Sequence, residues 1–139
     1  VKRSPMRRTG KGLTRRRHLT AVSADRKAER EAAEPVVQAV YSRDGHECVL
    51  AQHDNRELCM GRLTPHHLRK AGQGGQWLPS NLVTLCARHN GWVEDHPHMA
   101  HALGLVIRTG ETTADAWAAM RRAGIPAGPE FDPATGALL

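Results

Sequence analysis

Six side chains within residues 64–92, TPHHLRKAGQGGQWLPSNLVTLCARHNGW, are of types that do chemistry. His66 and His67 are adjacent, Asn81 follows fourteen residues after His67, and Cys86, His89 and Asn90 form a Cys-x-x-His-Asn run. Imidazole titrates near neutral pH and can take a proton from water there without special tuning, so a histidine suits the role of general base. Cysteine and histidine are also zinc ligands, whereas the neutral carbonyl oxygen of asparagine suits a harder ion such as Mg2+ or Mn2+. Cys48 and Cys59 are the remaining cysteines. With Cys86 and His89 they complete a Cys3His set, a composition of closed structural Zn2+ sites that leave no open position for substrate. Glu94 lies four residues beyond Asn90, on the same face of a helix, and is a further candidate to bind an ion or position a water.

These residues need elements to hold them. Residues 62–68 read as a short strand, on which neighbouring side chains point to opposite faces, so His66 and His67 can do two different jobs. Three glycines make residues 69–80 a loop, with Arg69 and Lys70 at its entrance as phosphate contacts. No GK[ST] follows and no dinucleotide-binding spacing surrounds it, which excludes a nucleotide-cradling loop. LVTL reads as a second strand, followed by a helix from about Cys86 to Asp95 that Pro97 ends. On that helix His89 and Asn90 project about 100° apart, so one can face a zinc and the other a second site. Upstream, CVLA, the turn residues Gln52 to Asn55, and RELC fit an antiparallel hairpin that sets Cys48 opposite Cys59. His46 and His53 read as surface residues, as do His96, His98 and His101, while Trp92 and Val93 read as core.

The histidine pair at a strand end, the asparagine before the next strand and the Cys-x-x-His-Asn run resemble the HNH nucleases, a family with a ββα-metal active site. The resemblance covers roughly residues 43–108. It implies that His66 binds a catalytic Mg2+ or Mn2+, that His67 is the general base on the attacking water, and that Asn81 ties down the loop that orients His67. It makes Asn90 the third signature residue and a ligand of the same ion, with Glu94 as an optional further ligand. It also implies hydrolysis of DNA with 5′-phosphate and 3′-hydroxyl products. Many members carry two Cys-x-x-Cys pairs around the histidines; here ten residues separate the first pair and the last ligand is His89. The opposite assignment, with His89 on the catalytic ion and an incomplete zinc set, stays open at this point.

The flanks serve that reading. Residues 1–30 carry eleven Lys/Arg against two Asp/Glu, and residues 31–139 carry nine against twelve, so the net charge of +6 belongs to the N-terminal arm. Residues 1–22 lack apolar periodicity and read as a disordered basic arm. Its Arg7, Arg8, Arg15, Arg16 and Arg17 would neutralise DNA phosphates and release counterions. The opening KRSPMRRTG resembles those of small HNH proteins of bacteriophages, which implies phage DNA processing or packaging, with packaging proteins as partners. Residues 23–43 read as a helical lead-in broken at Pro35, with Ser23 as its N-cap and Val36, Val37, Val40 and Tyr41 turned inward. Residues 44–108 form the core, ending in a strand at Leu105 to Arg108. Residues 109–139 hold a helix from Thr113 to Ala123, with Trp117 and Met120 inward, and an irregular Gly/Pro-rich tail. No apolar run suits a signal peptide or a membrane span, so the expected location is the cytoplasm, the host's if the chain is phage-encoded. Three cysteines there suit a metal better than a disulfide framework.

The expected fold is therefore α+β, a ββα-metal core with a zinc knuckle, flanking helices and the arm. A single chain of 139 residues with one Phe, one Tyr and three Trp builds a small core, of the kind that usually needs a staple. Two function classes follow: a divalent-metal-dependent DNA endonuclease, or a zinc-stapled DNA-binding module that does not cut. Only the enzyme needs His67.

Overall fold

The computed structural model describes residues 24–53 and 58–126. The basic arm with its arginines, Ser23, the turn residues Asp54 and Asn55, and the tail from residue 127 lie outside the described residues. The chain divides into two units, residues 1–31 and 32–139. In the first, residues 24–31 are helical and exposed, with an i,i+4 pair from Lys27 to Glu31 at 3.8 Å. Both side chains stay in solvent, so the pair adds little.

Among the described residues the chain is α+β, with four α-helices and one two-stranded antiparallel sheet. Helix α1 (Ala24–Arg43) runs through Pro35 and corrects the expected break. Pro35 sits on the exposed face, where water can bond the backbone carbonyl that proline's missing N–H leaves without a partner. Ala33, Val37 and Val40 recur at helical spacing on the opposite side and are buried. Their burial offsets the lost bond.

Strand β1 (Leu63–His67) pairs with β2 (Leu82–Cys86) in a register that sets Leu63 against Cys86 and His67 against Leu82. All five residues of β2 are buried, so apart from Thr84 the strand is apolar on both faces, with no alternation. Helix α2 (Ala87–Asp95) starts at once, with the Cys86 sulfur accepting from the His89 N–H at its N-cap. β1, β2 and α2 in succession make a ββα unit. Helices α3 (Pro97–Ala102) and α4 (Thr113–Arg122) close the core. Thr112 and Asp115 form a capping box at the start of α4, and Trp117 and Met120 are buried as the periodicity predicts. No helix among the described residues is long and apolar enough to cross a membrane.

Among the described residues, two expected β elements are absent. Val49–Ala51 is a 3-10 turn with all three residues buried, so no hairpin arm follows Cys48; a short apolar run without alternation fits either state. Leu105 to Arg108 is irregular. Its backbone–backbone bond toward β1 runs from the Ile107 N–H to the Leu68 carbonyl at 3.0 Å, just past the strand's end. Leu105 and Ile107 are nonetheless buried.

One charged pair ties the second unit together. The Arg43 guanidinium donates to both carboxylate oxygens of Asp44, at 2.7 and 2.9 Å. It also donates to the Pro79 and Leu82 carbonyls and lies 4.9 Å from the ring centroid of Trp117. Asp44 in turn accepts from the Thr84 N–H at 2.8 Å. The side chains are only 3% and 2% exposed. Asp44→Ala leaves a buried guanidinium without its counter-charge, which costs about 3–5 kcal/mol. Chemical denaturation of this variant should therefore show most of a small domain's stability gone, and a midpoint equal to wild type would refute the role given to the pair.

Candidate functional site

Four ligand atoms from three separate segments converge below the start of α2. His89 Nδ1 lies 3.3 Å from Cys48 Sγ, 3.5 Å from Cys59 Sγ and 3.3 Å from Cys86 Sγ. All four atoms fall within 4.8 Å of one another. In a tetrahedral site with Zn–S of about 2.3 Å and Zn–N of about 2.0 Å, the N···S edge is about 3.5 Å, so the cluster can hold a metal ion such as zinc. The opposite assignment of His89 does not fit, because its Nδ1 points into the thiols. The expected hairpin is missing, but Cys48 and Cys59 still meet. The 3-10 turn after Cys48 and the Cys59–Arg62 segment bring them together, with Arg88 N–H bonded to the Met60 carbonyl and Ala87 N–H to that of Arg62. Gly61 belongs there because a Cβ would lie 2.8 Å from that of Ala87, on top of a positive φ of 82°.

The thiols differ electrostatically. Burial pushes the Cys48 thiol up to about 12. Burial also raises Cys86, but the His89 and Met60 backbone and the neighbouring thiols outweigh it and leave Cys86 below its ordinary value. Sulfur at a helix N-terminus is suited to the thiolate form. Metal binding must therefore displace protons, Cys48's in particular.

The second cluster is built on the next residue of α2, Asn90, about 100° round the helix from His89. His66 is 5% exposed, and its Nε2 lies 2.8 Å from the Leu105 carbonyl. Its Nδ1 lies 2.9 Å from Asn90 Oδ1. Burial lowers the His66 pKa, against the opposing pull of its Leu105 and Asn90 hydrogen bonds and of Glu94. A neutral ring has one N–H, and the carbonyl claims it, so the Nδ1 lone pair faces the amide oxygen. That contact becomes favourable when the amide turns its NH2 toward Nδ1 or when a cation lies between the two atoms.

His67 points to the opposite face of β1, half-buried, with its ring edge-on to Trp77 at 4.5 Å between centroids. Its Nε2 is buried. Asn81 is 4% exposed and clamps the intervening loop. Its Oδ1 accepts from the Arg69 N–H at 2.9 Å, and its Nδ2 donates to the Arg69 and Gln76 carbonyls at 3.2 and 3.0 Å. Gly75 is required where that loop crosses itself, since a Cβ there would overlap the Arg69 carbonyl. The loop cations are engaged within the chain: Arg69 Nη2 donates to the Glu111 carbonyl at 2.6 Å, and Lys70 pairs with Glu94 at 2.6 Å. Both partners of the latter pair are about half exposed.

Of the residues singled out by type, the fold therefore brings Cys48, Cys59, Cys86 and His89 to one point and His66 and Asn90 to another. His67 and Asn81 lie on the loop side of β1, and Glu94 is held by Lys70. Trp77 and the Leu105 carbonyl went unforeseen. A backbone carbonyl carries no residue-type signal, and a lone Trp in a glycine-rich loop reads as packing.

Protein purified without added metal should contain about one zinc per chain, and removing it should unfold the core, since ligation and folding are coupled. Cys59→Ser should lower zinc retention and thermal stability together. A zinc-free protein that stays folded under chelation would refute the assignment. No family model, no curated protein and no solved structure matches this chain.

Proposed function

We propose that this chain is an HNH-type nuclease that hydrolyses DNA phosphodiester bonds with the help of a divalent cation, and that a zinc ion at Cys48, Cys59, Cys86 and His89 staples its core. One observation carries the reading: His66 Nδ1 and Asn90 Oδ1 stand 2.9 Å apart. Neighbouring ligands of an octahedral Mg2+, each about 2.0–2.1 Å from the ion, stand about 2.9 Å apart. One imidazole and one neutral oxygen would leave most of the coordination sphere to water and phosphate, as Mg2+ and Mn2+ prefer. The succession of β1, β2 and α2 around this pair supports the resemblance to the family.

His66 and Asn90 would hold the cation, which when bound supplies positive charge against the charge that gathers on the phosphate during attack. His67 is the chain's own base. Its Nε2 is buried, and the base role is assigned to Nδ1. It takes the proton as the water oxygen bonds to phosphorus, the bond to the leaving 3′-oxygen breaks, and that oxygen takes a proton from solvent. Asn81 acts through the loop: its clamp fixes Arg69 to Gln76 and so holds Trp77 against the base. Zinc stands apart from the reaction, since four protein ligands close its sphere.

Plasmid cleavage with Mg2+, Mn2+ or neither ion tests the activity. Wild type should cut with either ion, and cleavage should stop when the ion is withheld with the zinc still bound. His67→Ala should lower the rate by about 10²–10⁴-fold with DNA affinity and folding unchanged, as expected for a lost general base. His66→Ala and Asn90→Ala should instead raise the cation concentration needed, and Asn81→Ala should fall between. Wild-type protein that binds DNA and never cuts it, or an unimpaired His67→Ala variant, would replace this reading with the DNA-binding module.

A further inference from the structure

A neutral histidine can bind a cation through either ring nitrogen, and the wrong choice turns its lone pair away from the partner ligand. In this chain the choice is made by backbone. The Leu105 carbonyl, 2.8 Å from His66 Nε2, can only accept, so Nε2 must carry the proton. The unprotonated Nδ1 is left facing Asn90.

That carbonyl sits in an irregular segment, yet it is held from several sides. Leu105 N–H donates to the Ala100 carbonyl at 2.8 Å, Gly104 N–H to that of His101 at 2.9 Å, and Ile107 N–H to that of Leu68 at 3.0 Å. Gly104 adopts a φ of 79°, and a Cβ there would overlap the Ala116 carbonyl and press on the Met120 nitrogen, both on α4. The turn can thus lie directly on the α4 backbone, and α4 sets how far Leu105 stands from His66. Metal-ligating histidines commonly give their second N–H to a carbonyl, which fixes the ring's tautomer and orientation.

We propose that the Gly104–Leu105 turn, seated on α4, is the positioning element of the divalent-metal site: its carbonyl locks His66 in the Nε2–H tautomer and so presents Nδ1, beside Asn90, to the cation. The proposal rests on the reading of His66 and Asn90 as that site and names what orients it. It gives α4 and the turn a part in metal affinity although neither supplies a ligand.

Nitrogen NMR of histidine-labelled, zinc-loaded full-length protein reads the tautomer directly. In wild type, His66 should show Nε2 as the N–H and Nδ1 as bare, and Mn2+ should broaden the His66 ring signals. Gly104→Ala should mix the tautomers and weaken Mn2+ binding by about 10–100-fold, the usual effect of losing such a partner. Gly110→Ala is the matched control, because φ is 89° there and a Cβ meets nothing within 4 Å; it carries similar backbone strain and should leave both readouts alone. If Gly104→Ala does not fold, an ester in place of the amide between Leu105 and Val106 weakens the acceptor without adding bulk and should move both readouts the same way. An Nδ1–H tautomer in wild type, His66 signals indifferent to Mn2+, unchanged readouts in both altered proteins, or equal losses in the two glycine variants would overturn the proposal. Absence of DNA cleavage with the tautomer and Mn2+ results as expected would defeat the nuclease reading alone.

Discussion

Three thiols and an imidazole nitrogen within 4.8 Å of one another form a packing that apolar contacts alone do not favour. Buried sulfur ligands either keep their protons in a cramped polar pocket or lose them to a shared cation, and only the second alternative is strongly stabilising. Three segments of the domain meet at this cluster. The sheet has two strands and the aromatic content is low; the 3-10 turn after Cys48 packs into the core, and two backbone hydrogen bonds tie the segment from Cys59 to the start of α2. Cys86 joins the two halves of the problem. It ends β2, caps α2 and contributes a sulfur to the cluster, so a metal held there would fix the direction in which the helix leaves the sheet.

That direction is what the second site needs. His89 and Asn90 are consecutive on α2, and the helix turns one into the thiols and the other toward β1. The Cys3His cluster and the 2.9 Å approach of Asn90 to His66 thus share one helix. The strand divides labour in the same way. His66 faces the helix and the buried carbonyl of Leu105, whereas His67 faces the loop, where Trp77 lies against it and Asn81 clamps the backbone on either side. Two adjacent histidines thus live in different surroundings, one dry and one at the loop.

Residues whose chemistry is local were legible in the sequence. Cys-x-x-His spacing, a histidine pair on a short strand and the inward stripe of α4 each follow from neighbours only a few positions apart, and both strands of the sheet lie within a residue or two of their expected positions. The errors fell where tertiary contacts decide. Pro35 reads as a helix break, yet the stripe Ala33, Val37 and Val40 carries α1 through it. VLA and LVIR have the composition of strands, but neither finds an edge to pair with: the first coils tightly beside the thiols, and the second runs past β1 with one bond to Leu68. The Leu105 carbonyl could not be foreseen at all, since its role depends on how closely a glycine lets the chain approach a helix.

Arg43 and Asp44 are neighbours in the chain, and that alters how their charges enter the interior. Two ions recruited from distant segments would each have to shed water separately and then find one another. A consecutive pair can close its two hydrogen bonds while the chain is still open, so what moves inside is a compact zwitterion with no net charge. Its outward-facing groups then meet carbonyls and an N–H some forty positions downstream, at Pro79, Leu82 and Thr84. The end of the first helix therefore presents to the sheet a self-neutralised polar plug, whose remaining groups match the Pro79 and Leu82 carbonyls and the Thr84 N–H.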